Sequence, residues 1–167
     1  IFPKFPNVKS VNFIVEPKPL GTGGAIINGL QETNISGTFF ITNADTWIYD
    51  DCRELADYPS SAIGVYEVAD VSQFGSVNVD TNNVVISFLE KNRKAGNGLV
   101  YAGIARLETP LFDSFEMKPQ SLETDIYPSL CSSGSIHGVK LTGSIVDIGV
   151  PDSLIAFRLN NIAEGGH

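Results

Sequence analysis

Residues 38–46 read TFFITNADT, an apolar run of strand length that gives way, after Asn43 and Ala44, to a lone aspartate, Asp45. A run this apolar predicts a central parallel strand covered on both faces. Asp45 then falls where open α/β sheets keep their ligands, beyond the carboxyl end of a strand. An acidic side chain at that point is not core. A hard carboxylate there suits Mg2+, although an Asx turn or a helix cap would explain it as well.

Upstream, residues 19–26 read PLGTGGAI. The pattern AIINGL predicts a helix from Gly23 to about Leu30, with Thr22 as its N-cap. Small residues at Gly21, Gly23 and Gly24 would let the backbone approach a flat base or a phosphate, and free N–H groups at a helix start favour anions. The motif is not a complete GxGxxG, because Ile26 stands at the last glycine, and no lysine follows as in a P-loop. An ordinary glycine turn accounts for it equally.

Working outward, Val11–Val15 reads as a short strand closed by Pro17 and Pro19. Residues 50–58 read as a capped helix and 61–68 as the next strand, so the opening order is β, α, β, α, β. That order predicts a parallel, layered α/β sheet. FGSVNVD and NVVISFLEK, separated by Asp80-Thr81-Asn82-Asn83, then predict an antiparallel hairpin. Residues 99–107 form a further strand and 109–115 a short helix. Residues 121–130 read as a helix interrupted by Pro128, and 136–140 and 144–148 as short strands. A closing helix over 151–160 has Pro151 in its first turn. The run Gly143–Val146 reaches Asp147, which repeats the placement of Asp45, and two such carboxylates would make a divalent metal site if they converge. Spacing alone does not bring them together.

A chain of 167 residues, 43% hydrophobic and 18% charged, is an ordinary globular composition, and one domain over residues 1–167 is expected. The net charge of −8 argues against a nucleic-acid surface, since phosphate backbones need clustered Lys and Arg. Cys52 and Cys131 have neither metal-ligand spacing nor a disulfide pattern, which favours a reduced, cytoplasmic setting. No run approaches a membrane span. Glu90 and Lys91 end a strand and could bind a sugar hydroxyl and a phosphate, or be solvated, as Arg93 and Lys94 are expected to be. The helix dipole explains Glu123 and Asp125. Neither His137 nor His167 shows a partner spacing for catalysis.

Taken in order, EPKPLGTGGAI, FFITNADT, FGSVNVD, FLEK, GLVYAGIARL, SLETDIYPSL and VDIGVPD resemble the sugar-phosphate nucleotidylyltransferases, over Glu16 to about Leu159. The chain is most similar to the branch of heptose 1-phosphate and mannose 1-phosphate guanylyltransferases. The resemblance implies a Rossmann-like α/β fold, a mixed sheet flanked by helices. It implies transfer of a nucleotidyl group from an NTP, GTP in this branch, to a sugar 1-phosphate, with release of pyrophosphate. By the same resemblance Leu20, Gly21, Thr22 and Gly23 would lie against the nucleotide, and Asp45 and Asp147 would hold Mg2+. Glu90 would bind sugar hydroxyls, Lys91 the sugar phosphate, and Gly75 with Tyr101, Ala102 and Gly103 would line the sugar pocket. The partners implied are small molecules, with self-association into a homo-oligomer allowed.

Three departures qualify that likeness. The family's Gly-Asp is Ala44-Asp45, and its frequent Asn-Ala-Gly is Tyr101-Ala102-Gly103, which bears on the sugar's identity. The family's GGxGTRL segment and the Pro-Lys that follows it are not in this sequence. The chain opens on Ile1, and its one methionine is Met117. The intact protein is therefore expected to carry a further amino-terminal stretch, and the chain as it stands to be inactive or nearly so. A non-catalytic nucleotide-binding relative is the alternative.

Overall fold

The computed structural model describes residues 9–49, 52–72, 74–89, 96–143 and 145–163, without the side chains of 160–163. The expectations for Glu90, Lys91, Arg93, Lys94 and His167 lie outside the described residues.

Helix α1 (Gly21–Thr33) leads to strand β1 (Thr38–Thr42), followed by β2 (Thr46–Ile48), a single helical turn α2 (Arg53–Ala56) and β3 (Ala62–Val68). The hairpin β4 (Ser76–Val79) and β5 (Val85–Leu89) precedes the long strand β6 (Gly98–Glu108). A 3-10 turn (Thr109–Phe112), a π turn (Leu122–Ile126), α3 (Tyr127–Ser132), β7 (His137–Lys140), β8 (Ile145–Asp147) and α4 (Pro151–Ala163) complete the chain. The main sheet runs β5-β4-β6-β3-β7, with β1 on the same edge of β6 as β4. β2 and β8 form a separate antiparallel pair.

The sheet is mixed, as the resemblance implies, but the opening strands are not neighbours in a parallel ladder. β1 and β3 both pair antiparallel with β6, which runs between them, and among the described residues only β3–β7 is parallel. Nor is β1 covered on both faces. Its burial alternates, and Phe40 is 51% exposed on the open side. Val11–Val15 joins no sheet: Phe13 and Val15 lie exposed, and Ile14 reaches toward Gly29 of α1. A β-rich composition needs a ladder partner before it becomes a strand.

Alternation along the strands builds two cores. Ile63 and Val65 of β3, Ala105 and Leu107 of β6 and Phe39 and Ile41 of β1 point to one face, where Ile27, Leu122, Ile126, Tyr127 and Leu130 cover them. Ala62, Ala102 and Ile104 point to the other, against Leu55, Val139, Leu141 and Ile145. Each fully buried aliphatic side chain in these clusters contributes about 1.5–3 kcal/mol over exposure. The 80–83 turn forms as expected, with Asp80 Oδ1 accepting from the N–H groups of Asn82 and Val84 at 2.8 Å. Pro128 starts α3 and does not interrupt it, since proline at a first helical turn gives up a donor that has no partner there.

Candidate active site

The glycine-rich segment is held by its own protein. Gly23 and Gly24 both donate to the Gln120 carbonyl, at 3.0 and 3.3 Å, and Gln120 donates back to Leu20 O at 2.9 Å. A Cβ on Gly21 would lie 2.6 Å from the Gln120 oxygen, and one on Gly24 would run into the Lys118 carbonyl. These glycines therefore permit a close approach of α1 to residues 118–121, and the amides of Gly23 and Gly24 are not free for an anion. Leu20 is buried. Thr22 is not the N-cap. That position is Leu20, with no side-chain bond, and the Thr22 hydroxyl instead accepts from Leu122 N–H at 2.8 Å and donates to Glu123 Oε2 at 3.0 Å. Of the four residues in this segment expected at the nucleotide, Thr22 lines a cleft of about 660 Å3 that also reaches Phe40, Asn43, Ala44, Asp45 and Glu123.

The two expected carboxylates do converge. β2 pairs with β8 in the register that sets Thr46 opposite Asp147, and Ile148 N–H donates to Asp45 O at 2.7 Å. A methyl carbon built on Gly149 would stand 2.7 Å from Asp45 Oδ2 and 3.1 Å from Asp147 Oδ1. Both carboxylates thus face one small space that exists because residue 149 has no side chain. Asp147 Oδ1 also accepts from Gly149 N–H at 2.9 Å, whereas the Asp45 carboxylate accepts no hydrogen bond among the described residues, so neither an Asx turn nor a helix cap occupies it. Among those residues no group of three or more His, Cys, Asp or Glu side chains gathers as a metal cage. Two hard carboxylates around a vacant Cβ position nonetheless fit an ion that takes one or two carboxylates and completes its shell elsewhere.

Asp45 also lines a second, smaller cleft of about 220 Å3, with Asp147, Tyr66, Phe74, Tyr101, Ala102 and Gly103. The backbone of β6 bulges here. β3 advances by two residues, Ile63 to Val65, while β6 moves by four, from Ala105 to Tyr101. Gly103 has φ 74, a left-handed conformation that favours glycine, and its carbonyl accepts from Asn43 N–H at 2.8 Å. Bulges of this kind re-aim side chains beside sites. Gly75 does not line the cleft itself; its neighbour Phe74 does, while Gly75 packs on the Leu89 carbonyl at the end of β5.

Tyr66, which lines the smaller cleft, carried no signal in the sequence. Tyr66 sits mid-strand, and burial together with the Asp147 charge raises its hydroxyl above the ordinary range. The Tyr127 hydroxyl donates to that of Tyr101 at 3.2 Å, and burial raises both. His137 lines neither cleft; it bonds Ser60 Oγ through Nδ1 at 3.2 Å and packs against Tyr58.

Residues 4–163 match the family described as nucleotidyl transferase. The chain belongs to that family. It is 32% identical over 157 residues to the bifunctional protein GlmU of Methanococcus aeolicus, covering 90% of this chain and 38% of that protein. It is 30% identical to mannose-1-phosphate guanyltransferase 2 of Candida glabrata, covering 88% and 43%. The crystal structure of HddC from Yersinia pseudotuberculosis, 31% identical, superposes with a TM-score of 0.75 over 89% of this chain and 66% of that one. This nucleotidyl transferase chain thus spans about two fifths of the length of those two sequence relatives. No helix among its described residues is long and apolar enough to cross a membrane.

Proposed function

We propose that the protein containing this chain transfers a nucleotidyl group from a nucleoside triphosphate, GTP before others, to a sugar 1-phosphate of the heptose or mannose type, releasing pyrophosphate. The observation that carries this reading is the convergence of Asp45 and Asp147 on Gly149, with Asp45 lining both clefts. A reaction that joins two phosphates needs its charge-neutralising groups where two substrates meet. The larger cleft, beside Thr22, takes the nucleotide; the smaller, beside Tyr101–Gly103, takes the sugar phosphate. HddC of Yersinia pseudotuberculosis has been solved with GMP-PN, which supports GTP as the donor.

In this reading Asp45 and Asp147 hold Mg2+, which when bound neutralises phosphate charge. The bulge at Gly103 presents the β6 backbone to the sugar. Glu90 and Lys91, which follow the last residue of β5, bind the sugar's hydroxyls and its phosphate. The sugar-phosphate oxygen attacks the α-phosphorus in line, the bond from the α-phosphorus to the α,β-bridging oxygen breaks, and pyrophosphate leaves with the electron pair. The chain contributes position and electrostatics, with no covalent enzyme intermediate. Leu20, Gly21 and Gly23 contribute through the fixed backbone that sets Thr22 at the cleft. A cytoplasmic setting suits the two cysteines, which are not joined in a disulfide.

The test is pyrophosphate release by the full-length protein with GTP, mannose or heptose 1-phosphate and Mg2+. Asp45→Asn should lower turnover by at least about 10²-fold, the scale for losing one preorganised electrostatic group, while the circular dichroism spectrum is unchanged. Turnover that survives this substitution would remove Asp45 from the mechanism. Binding of GTP without any turnover by the full-length protein would favour a non-catalytic relative.

A further inference from the structure

Asn43 and Asp45 are the two described residues that line both clefts. Asp45 belongs to the proposed metal site, whereas Asn43 has no part in the reaction as described above. Its main chain is fixed, because Asn43 N–H donates to the Gly103 carbonyl at 2.8 Å. Its side chain lies over the same glycine. A Cβ built on Gly103 would stand 3.1 Å from Asn43 Nδ2 and 3.3 Å from Asn43 Cγ, with Thr46 Oγ1 at 3.0 Å. The bonds that residue 43 makes with described residues run through its main chain, the second being from Thr42 Oγ1 to Asn43 O at 3.4 Å, and none engages the carboxamide.

Ordinary turn chemistry does not use this side chain. An asparagine after a strand commonly closes an Asx turn by accepting from the main chain two residues on, and no such bond forms here. Among the described residues that line either cleft, Asn43 is the one whose side chain carries N–H donors; the ionised carboxylates of Asp45, Asp147 and Glu123 are acceptors only. Under the function proposed above, on which this inference rests, the nucleotide occupies one cleft and the sugar phosphate the other. The α-phosphoryl group is then transferred at the seam between them, where Asn43 stands. A carboxylate reaches phosphoryl oxygens only through a cation, but an N–H reaches them directly. A donor already fixed at that place strengthens as charge builds on those oxygens, with no reorganisation at the moment of reaction.

We propose that Asn43 is a further catalytic residue, its Nδ2 amide donating to a non-bridging oxygen of the α-phosphoryl group during transfer. The amide gives up no proton. The sugar-phosphate oxygen forms the new bond to the α-phosphorus, and pyrophosphate leaves with the electron pair of the broken one. Gly103 is a positioning residue for the carboxamide. Any side chain there would press on Asn43, and φ 74 independently favours glycine.

The experiment is steady-state pyrophosphate release by the full-length protein and its Asn43→Ala and Asn43→Asp variants, with GTP, mannose or heptose 1-phosphate and Mg2+. Both variants keep the main-chain bond to Gly103, and residue 43 is exposed, so the circular dichroism spectrum and urea midpoint should be unchanged. Asn43→Ala should lower kcat by about 10²- to 10³-fold, the scale for one preorganised donor. Both KM values should stay within about threefold, because the bond is made in the transition state. Asn43→Asp matches the shape but replaces the donors with a charged acceptor, and should lower kcat at least as far. The two diastereomers of GTP carrying sulfur on the α-phosphorus give a second readout, since sulfur accepts weakly. For the diastereomer whose sulfur faces Asn43, the wild type should be slowed by about tenfold or more, and Asn43→Ala should lose that discrimination.

A merely structural asparagine would slow the oxygen and sulfur substrates alike. Sulfur effects unchanged by Asn43→Ala for both diastereomers would therefore overturn the assignment while leaving nucleotidyl transfer standing. So would a kcat within about threefold of wild type in both variants, or a raised KM with kcat intact. A wild-type protein that releases no pyrophosphate with either sugar 1-phosphate would overturn the underlying function and the assignment with it.

Discussion

Gly149→Ala tests the proposed metal site without replacing either carboxylate. The added methyl carbon would stand 2.7 Å from Asp45 Oδ2, 3.1 Å from Asp147 Oδ1 and 3.2 Å from Asp45 Cβ. Non-bonded carbon atoms rest at about 3.5–4.0 Å, and carbon–oxygen pairs sit only a little closer, so Asp45 must withdraw by about 0.5–1 Å. The backbone at residue 149 lies outside the left-handed region, so alanine adds no conformational strain there. Stability should therefore change by less than about 1 kcal/mol, the reduced entropy of the unfolded chain offsetting part of the clash. A misplacement of about 1 Å at a reacting centre costs up to about 10²-fold in rate, or about 2.7 kcal/mol of barrier. The assay is Mg2+-dependent pyrophosphate release by the full-length protein, read as kcat and as the Mg2+ concentration at half-maximal rate, alongside a melting curve. We expect a loss of about 10- to 100-fold in kcat, a raised Mg2+ requirement and a nearly unchanged Tm. Wild-type kcat and Mg2+ dependence in a folded variant would mean that Asp45 and Asp147 do not act on one ion.

Gly24→Ala should do the reverse, destabilising by about 1–3 kcal/mol in urea titrations because its methyl meets the Lys118 carbonyl and the Leu20 Cβ, while any remaining folded protein binds nucleotide normally. A wild-type urea midpoint would mean that α1 does not press on residues 118–121. Tyr127→Phe removes the donor to Tyr101 and should cost about 0.5–1.5 kcal/mol at neutral pH. It should also soften the alkaline decline. Burial raises both hydroxyls above their ordinary value of 10.0 in the folded state, so their contribution is complete below about pH 10 and is lost as the pH rises beyond it. Urea midpoints at neutral and alkaline pH, for the wild type and the variant, measure this directly; parallel declines would remove the tyrosine pair from the effect.

Local chemistry made much of the chain legible. The 80–83 turn, the strand over 98–108 and the helix led by Pro151 follow from residue type and period, because each is decided by interactions among near neighbours. The apolar run at 38–42 shows where that reasoning fails. Its composition suits a strand buried on both faces, yet its burial alternates and Phe40 is half exposed beside the larger cleft, so apolar composition alone does not show that both faces are covered. Val11–Val15 fails for a related reason, since β propensity does not name a partner. The glycines of PLGTGG pose a subtler problem. A residue without a Cβ allows close approach by any backbone, and here the approaching chain is the segment 118–121, about 95 residues away in sequence.

The pair of carboxylates marks the boundary between what a motif states and what a fold supplies. Asp45 and Asp147 could each be singled out as an acid at the end of a strand, but nothing in their spacing of about 100 residues says they meet. The decision lies in the three-residue ladder of β2 with β8, too short to carry a period and placed outside the main sheet. One residue of slip in that ladder would turn Asp147 to the opposite face. Register is held instead by Ile145 in the smaller core and by the bond from Ile148 to Asp45 O. Ile145→Ala should therefore impair catalysis through the geometry of Asp147, raising the Mg2+ requirement more than it lowers Tm. A loss of stability with unchanged Mg2+ dependence would show that the ladder holds its register without that side chain.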